Sequence, residues 1–315
     1  MILGHERQIL YLDEVLRRGR FAHAYLFYGP EGVGKLAVAK AAAQALLCPN
    51  FRRGSNSLRE AGDGCQECRL ISGGQHPEVI LLDLEHTLTS EKEKRRDIPI
   101  KDIHELRRRF SFAPAERRWR IAIVNQADTM STEAADAFLK TLEEPGERTL
   151  FLLVSSAREF LTPTIISRTV PIAFSLVPDR IIARALGSRL AEKTLEEILT
   201  IAAGRPGVAL RCVQDPSYLS AERKFIHSLQ RVYDDMSHAL AFAERVAPDE
   251  GLRAKTVQYF IAYLRGRLQA AAGSAEALAV ARRIERACDI TALMETTNVN
   301  PRLALEVMLL PISPI

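Results

Sequence analysis

The sequence predicts an α/β domain built on a parallel sheet, followed by a small helical domain and an all-helical C-terminal domain. Three observations carry this expectation. Short apolar runs alternate with helix-like segments as far as about residue 154. A glycine loop ending in lysine lies between the first of those runs and the Ala-rich stretch after it. Beyond Pro178 the strand signal fades and an Ala/Leu/Arg-rich helical pattern takes over. Strands that alternate with helices imply a parallel sheet covered on both faces. The expected divisions are residues 1–170, 171–211 and 212–315.

Each element follows from its local pattern. Ile9, Leu10, Leu12, Val15 and Leu16 recur among charges up to Gly19, which reads as an amphipathic helix. Ala24–Tyr28 is a compact apolar run that meets Gly29-Pro30, as a buried strand entering a loop does. Lys35–Leu47, rich in Ala and Leu, reads as a helix. The stretch 54–74, with its Gly, Ser, Asn and two cysteines, reads as irregular. Glu78–Leu82 is a second strand, and Glu91–Arg96 a solvated charge run. Ile100–Phe110 places Ile100, Ile103 and Leu106 on one helical stripe. Arg120–Val124 is a third strand, and Ser131 caps a helix running to Leu142. Leu150–Val154 is a fourth strand. Arg180–Ala203 reads as two short helices around Gly187-Ser188. From Ser217 onward the pattern is helical with breaks at Pro248 and Gly273.

The composition narrows the function classes. The 315 residues are 47% hydrophobic with a formal net charge of +4, enough for a large core and too little charge to demand nucleic acid. No run is long and apolar enough to span a bilayer. The N-terminus turns charged too soon for a secretory signal, and the five cysteines are sparse. Cytoplasmic residence with reduced thiols is the expectation.

The loop Gly29-Pro30-Glu31-Gly32-Val33-Gly34-Lys35-Leu36 lies between a predicted strand and a predicted helix. Backbone N–H groups at such a helix N-terminus cradle phosphate. Gly29, Gly34 and Lys35 match the phosphate-loop pattern G-x-x-x-x-G-K-[ST], but Leu36 stands where a hydroxyl should ligate Mg²⁺. The third strand ends in Asn125-Gln126, where a P-loop ATPase carries an acid for Mg²⁺ and often a Glu for the attacking water. Amides keep the hydrogen bonding and lose the charge. Three neutral positions together argue for a degenerate P-loop without hydrolysis. Asp128, past the strand end, reads as a local cap rather than a replacement.

His23–Phe27 leading into the P-loop, Ala135–Pro145 with its Lys-Thr-Leu-Glu-Glu-Pro ending, Ile165-Ile166-Ser167-Arg168-Thr169, and Asn298–Glu306 are all similar to delta-prime subunits of the bacterial DNA polymerase III clamp loader, of the AAA+ class. Thr169 stands where the family's Ser-Arg-Cys motif has Cys. The resemblance implies an AAA+ domain, a small lid domain and a helical collar domain for oligomerisation. It implies a non-hydrolysing subunit of the polymerase holoenzyme, with no nucleotide required on this chain. ATP would sit at the interface, bound by the neighbouring subunit, and Arg168 within Ser167-Arg168 would reach it as an arginine finger in trans. The implied partners are the gamma/tau motor subunits, the delta subunit, the sliding clamp and primed DNA. In the lid, Gly207 falls where a nucleotide-contacting arginine would lie, with Arg205 nearby. Ser155 or Ser156 falls at the first sensor position.

The resemblance also implies a zinc module. Cys48, Cys65 and Cys68 match three of its four cysteines, and Cys65-x-x-Cys68 has zinc-ligand spacing. The fourth position is Gly62, and neither Asp63 nor His76 has the expected spacing. Zinc and a decayed loop with ordinary thiols both stay open. Cys212 and Cys288 read as buried small hydrophobes. Arg107–Arg109 and Arg117–Arg120 read as a solvated or inter-subunit face, with Trp119 at the core edge. Two rival functions remain: an active AAA+ ATPase with unusual Mg²⁺ ligation, and a DNA-binding replication protein.

Overall fold

The computed structural model describes residues 1–51, 56–86, 88, 97–110, 118–233 and 235–310. The expected charge run at 91–96 and Arg117 lie outside the described residues. The chain divides into two compact units, one of residues 1–188 with 204–207 and one of 189–203 with 208–315. No described helix is long and apolar enough to cross a membrane.

The first unit holds a five-stranded parallel sheet in the order β2-β3-β4-β1-β5. Its strands are β1 (Ala24–Tyr28), β2 (Val79–Leu82), β3 (Arg120–Asn125), β4 (Thr149–Ser155) and β5 (Val170–Ala173). The first four match the sequence reading to within a residue or two. β5 went unread, because it holds Pro171 and buries only Ile172 fully. A proline suits an edge strand, and β5 is one of the two edges.

Alternation along the strands divides the core into two layers. Tyr25, Phe27, Ile121, Ile123, Leu150 and Leu152 face α1 (Glu6–Arg18) and the Ala-rich α2 (Lys35–Leu47). Ala24, Leu26, Val124, Phe151 and Leu153 face α4 (Ile100–Phe110), α5 (Thr132–Glu143) and α6 (Pro163–Ser167). Ser131 caps α5 as expected, accepting from Ala134 N at 3.2 Å. The stretch read as irregular contains α3 (Gln66–Ser72) and a single turn at Leu58–Glu60.

Adjacent strands β1 and β4 send their connections to opposite faces, α2 on one and α6 on the other. A ligand crevice opens at the carboxyl ends of strands where connections diverge in this way. The P-loop follows β1 there. The unit ends with α7 (Asp179–Leu186) and the turn at 204–207.

The second unit is helical: α8 (Glu192–Ala202), the body of α9 (Pro206–Gln214), α10 (Pro216–Gln230), α11 (Met236–Val246), α12 (Glu250–Ala270), α13 (Ala275–Thr296) and α14 (Pro301–Leu309). Asx caps start several of them. The Asp215, Asp235, Asp249 and Asn300 side chains accept from first-turn amides, and Pro216 and Pro301 take first-turn positions where no N–H is needed. Phe242, Ala243 and Val246 of α11 are buried, as are Leu305, Met308 and Leu309 of the adjoining α14. Cys212 is buried as expected, whereas Cys288, on α13, is exposed.

Candidate functional site

The P-loop backbone has the turn its glycines predict. Gly29 adopts φ 136°, and a Cβ there would come 2.0 Å from the Phe174 carbonyl oxygen, so no other residue fits. Lys35 begins α2 behind Gly34 and is almost fully buried. Its Nζ donates to the carbonyl oxygens of Gly29 at 2.5 Å and Pro30 at 2.7 Å. Burial pulls its pKa down to about 8, against the opposing pull of the Asp128 and Glu31 carboxylates. Two further loop carbonyls are held from outside. His5 Nε2 lies 2.8 Å from the Val33 oxygen, and the Gly207 amide donates to the Gly32 oxygen at 2.8 Å. Burial lowers the pKa of His5, which favours the neutral ring.

Gly207 therefore packs against the P-loop itself. A Cβ there would sit 2.9 Å from the Gly32 oxygen, so the position has no room for the long side chain expected of a nucleotide-binding lid. Arg205 is buried. Leu36 packs against the core layer under α2 and offers no oxygen. Asn125 ends β3, and Gln126 follows in a left-handed conformation, φ 55°. Asp128 is engaged at the end of β4, accepting from Ser156 N at 3.2 Å and Ser156 Oγ at 3.1 Å. Ser155 is fully buried, and its Oγ accepts from Ala157 N at 3.2 Å.

Arg168 follows α6 directly. Its guanidinium is partly exposed and held by Glu143 Oε1 at 2.7 Å and the Thr164 carbonyl at 3.2 Å. Glu143 belongs to the Lys-Thr-Leu-Glu-Glu-Pro stretch, so the two motifs meet in space. Ser167 Oγ donates to the Thr164 carbonyl at 3.0 Å. Thr169 is buried and donates to the Ile166 carbonyl, filling its position without disturbing Arg168. Arg168 lies just before β5, whereas Phe174, which touches Gly29, lies just after it. The four residue steps from Val170 to Phe174 span about 13 Å of extended chain. Arg168 and the P-loop thus occupy opposite ends of the sheet.

Cys48, Asp63, Cys65 and Cys68 converge, with one ligand atom from each lying within 4.8 Å of all the others. The Cys48 and Cys65 sulfurs are 3.7 Å apart. A tetrahedral zinc with 2.3 Å bonds has sulfur–sulfur edges of about 3.8 Å. Asp63 is oriented by Asn50 Nδ2 at 2.7 Å and Cys65 N at 3.0 Å. These contacts hold its carboxyl well below the usual range, first through the Cys65 amide. His76 lies elsewhere, bonded to Glu67 at 2.5 Å and to the Glu78 amide at 3.0 Å. The donor set fits zinc.

The sequence profile described as "DNA polymerase III, delta subunit" matches residues 4–178, more than half of the chain. The chain belongs to this family. It is 36% identical over 199 residues to the DNA polymerase III subunit delta' of Pseudomonas aeruginosa, covering 62% of this chain and 56% of that one. It is 26% identical over 229 residues to the delta' of Bacillus subtilis, covering 73% and 65%. Gamma/tau of Mycobacterium bovis is 32% identical over 192 residues, covering 61% and 31%. The chain thus spans about a third to two thirds of these relatives. A DNA polymerase III gamma subunit-related protein from Thermotoga maritima superposes with a TM-score of 0.47 at 16% identity, covering 96% and 97%. The family match covers the whole sheet, the resemblance to delta-prime subunits holds, and the expected parallel α/β domain followed by a helical region is the observed fold.

Within this family fold, the arginine stretches are engaged by acids. Arg108 and Arg109 pair with Glu105, Arg118 with Glu67, and Arg120 with Glu78. Trp119 packs edge-on against Phe21 at the core margin, 5.1 Å between centroids. Sequence reasoning missed His5 and the place of Asp63. The signal for His5 is faint: a histidine after Gly4, both left-handed, turning the chain into α1.

Proposed function

We propose that this chain is a clamp-loader subunit of the replicative DNA polymerase that does not turn over ATP and completes the ATP site of a neighbouring motor subunit through Arg168. The observation that carries the reading is the placement of Arg168 at the end of the sheet away from its own P-loop. A guanidinium there meets phosphate only on another chain. Glu143 and Thr164 already hold the half-exposed guanidinium in place, so little side-chain entropy is lost when it engages. Ser167 supports the turn that presents it. On a neighbour's γ-phosphate, the guanidinium would stabilise charge that develops on the transferred phosphoryl group.

The loss of intrinsic activity rests on independent features. Leu36, Asn125 and Gln126 supply no charge for Mg²⁺ and no general base. Lys35 is bonded to its own loop, and Gly207 closes on Gly32. Gly29, Gly34 and Lys35 serve here as a structural turn rather than a nucleotide cradle. The proposed organisation keeps 1–170 as the AAA+ domain, 171–211 as a lid and 212–315 as the collar. The partners are the gamma/tau and delta subunits, with the sliding clamp and primed DNA met inside the cytoplasmic complex. Zn²⁺ held by Cys48, Asp63, Cys65 and Cys68 would tie α3 to the end of α2 as a structural ion.

Two measurements test the reading. Calorimetric titration of the chain with Mg-ATP is expected to show no binding. Tight, Mg²⁺-dependent binding would put an active ATPase in its place. In the reconstituted loader, Arg168→Ala should leave assembly intact and slow ATPase and clamp loading by about a hundredfold or more. Wild-type loading rates in that variant would sink the finger assignment.

A further inference from the structure

The second unit carries a charged groove that plays no part in the nucleotide chemistry above. Arg223, Lys224, His227, Ser228 and Arg231 line it, in a volume of about 300 Å³. All five lie on α10 or its next turn, at spacings that place them along one side of the helix. A second helix adds to it: Arg245 of α11 donates to Ser228 Oγ at 3.0 Å. One acid answers this charge directly, since Glu197 of α8 accepts from Arg223, with Nη2 at 2.7 Å. Glu222, the acid next to Arg223, is buried on the other side of α10, where it binds Lys255 at 2.7 Å and Tyr259 at 2.6 Å. Among the described residues, Lys224, Arg231 and Arg245 have no carboxylate partner.

Three further observations identify the ligand. Among the described residues every side chain that lines it is polar or cationic, with no aromatic or aliphatic residue of the kind that anchors protein interfaces. Lys224, Arg231 and Arg245 are exposed, and among the described residues no carboxylate offsets them, which is what counterion release from a phosphate chain requires. From Arg223 to Arg231 the helix rises about 12 Å, which spans three to four nucleotides of a strand at about 3.4 Å each. We propose that this face of α10 and α11 binds the phosphodiester backbone of a nucleic-acid strand, without reading its sequence. The inference is independent of Arg168 and of the P-loop, and it assigns the second unit a ligand of its own. Phosphate contacts of this type position a strand and leave base identity unread.

Fluorescence anisotropy with the full chain and a labelled single strand of roughly 20 nucleotides, between about 50 and 200 mM KCl, tests it. Three to four neutralised phosphates give a log–log salt slope of about −2 to −3. Lys224→Glu/Arg231→Glu should weaken binding by about tenfold or more at low salt and flatten the slope by about 1.4. Lys224→Gln/Arg231→Gln should fall between this variant and wild type. Arg282→Glu, an exposed charge swap on α13, should leave binding unchanged, and helical circular dichroism should match wild type in all three variants. An unchanged affinity and slope in the double swap, or an equal loss in Arg282→Glu, would overturn the proposal. Competition by a polyglutamate peptide as effective as by unlabelled DNA would overturn it in favour of an acidic protein segment.

Discussion

Lys35 carries the charge a P-loop would offer to phosphate, and here the loop's own carbonyls take it up. Burying an ammonium disfavours its charged form, which is why its pKa falls from 10.5 to about 8 even with Asp128 and Glu31 pulling the other way. The sign of the stability effect follows. Below about pH 8 the side chain is protonated in both states, and the folded state bears the full cost of the buried charge. Between about 8 and 10.5 the unfolded chain binds more protons, so stability rises with pH through that window. The denaturant midpoint of wild type relative to that of Lys35→Met, measured from about pH 7.5 to 10, should rise with pH. A constant difference would mean the amine stays charged inside the loop. At this scale the sequence was informative wherever chemistry depends on residue type: Leu36, Asn125, Gln126 and Arg168 announce themselves by what they are. His5 and Gly207 act through backbone contacts 28 and 175 positions from their partners in the chain, Val33 and Gly32, and no local pattern records such contacts.

Among the elements, strands and helices with strong periodicity were legible, and several short ones, β5, α3, α6 and α9, were not. β5 lacks an apolar run because Pro171 interrupts it and only Ile172 of its four residues is buried. α3 is seven residues long in a glycine-rich stretch, too short for a 3.6-residue period to emerge. That same helix brings Cys65 and Cys68 to Cys48, while the turn before it delivers Asp63, a placement that spacing alone did not reveal. If the four groups hold zinc, the ion substitutes for hydrophobic burial in a segment that has little of its own. Protein purified from zinc-supplemented medium should contain about one zinc per chain by elemental analysis. Asp63→Ala should lose it to a chelator at concentrations at least about tenfold lower than wild type. Zinc-free wild type, or equal retention in Asp63→Ala, would mark the cluster as three thiols beside a turn carboxylate.

For the whole chain, the two units are stabilised by different means. The first unit buries two apolar layers against a sheet. The second stacks helices whose ends are capped by side chains, and it includes a polar group deep in its packing. Glu222 is 3% exposed and joins α10 to α12 through Lys255 and Tyr259, with Lys255 lying 4.4 Å over the Phe225 ring. A buried pair of this kind contributes little against a well-packed apolar alternative, but breaking one side of it costs about 3 kcal/mol, because the remaining partner keeps its desolvation penalty. Glu222→Ala removes the acceptor of both bonds and should destabilise by that amount. Glu222→Gln keeps an oxygen for Tyr259 and should cost less. The single tryptophan, Trp119, lies in the first unit and provides a separate reporter. In Glu222→Ala the loss of helical ellipticity should therefore begin at lower temperature than the change in Trp119 fluorescence. Coincident transitions shifted equally in both signals would show that the Glu222 network stabilises the chain as one cooperative body. No shift in either would show that water reaches the network and replaces the carboxylate at no cost.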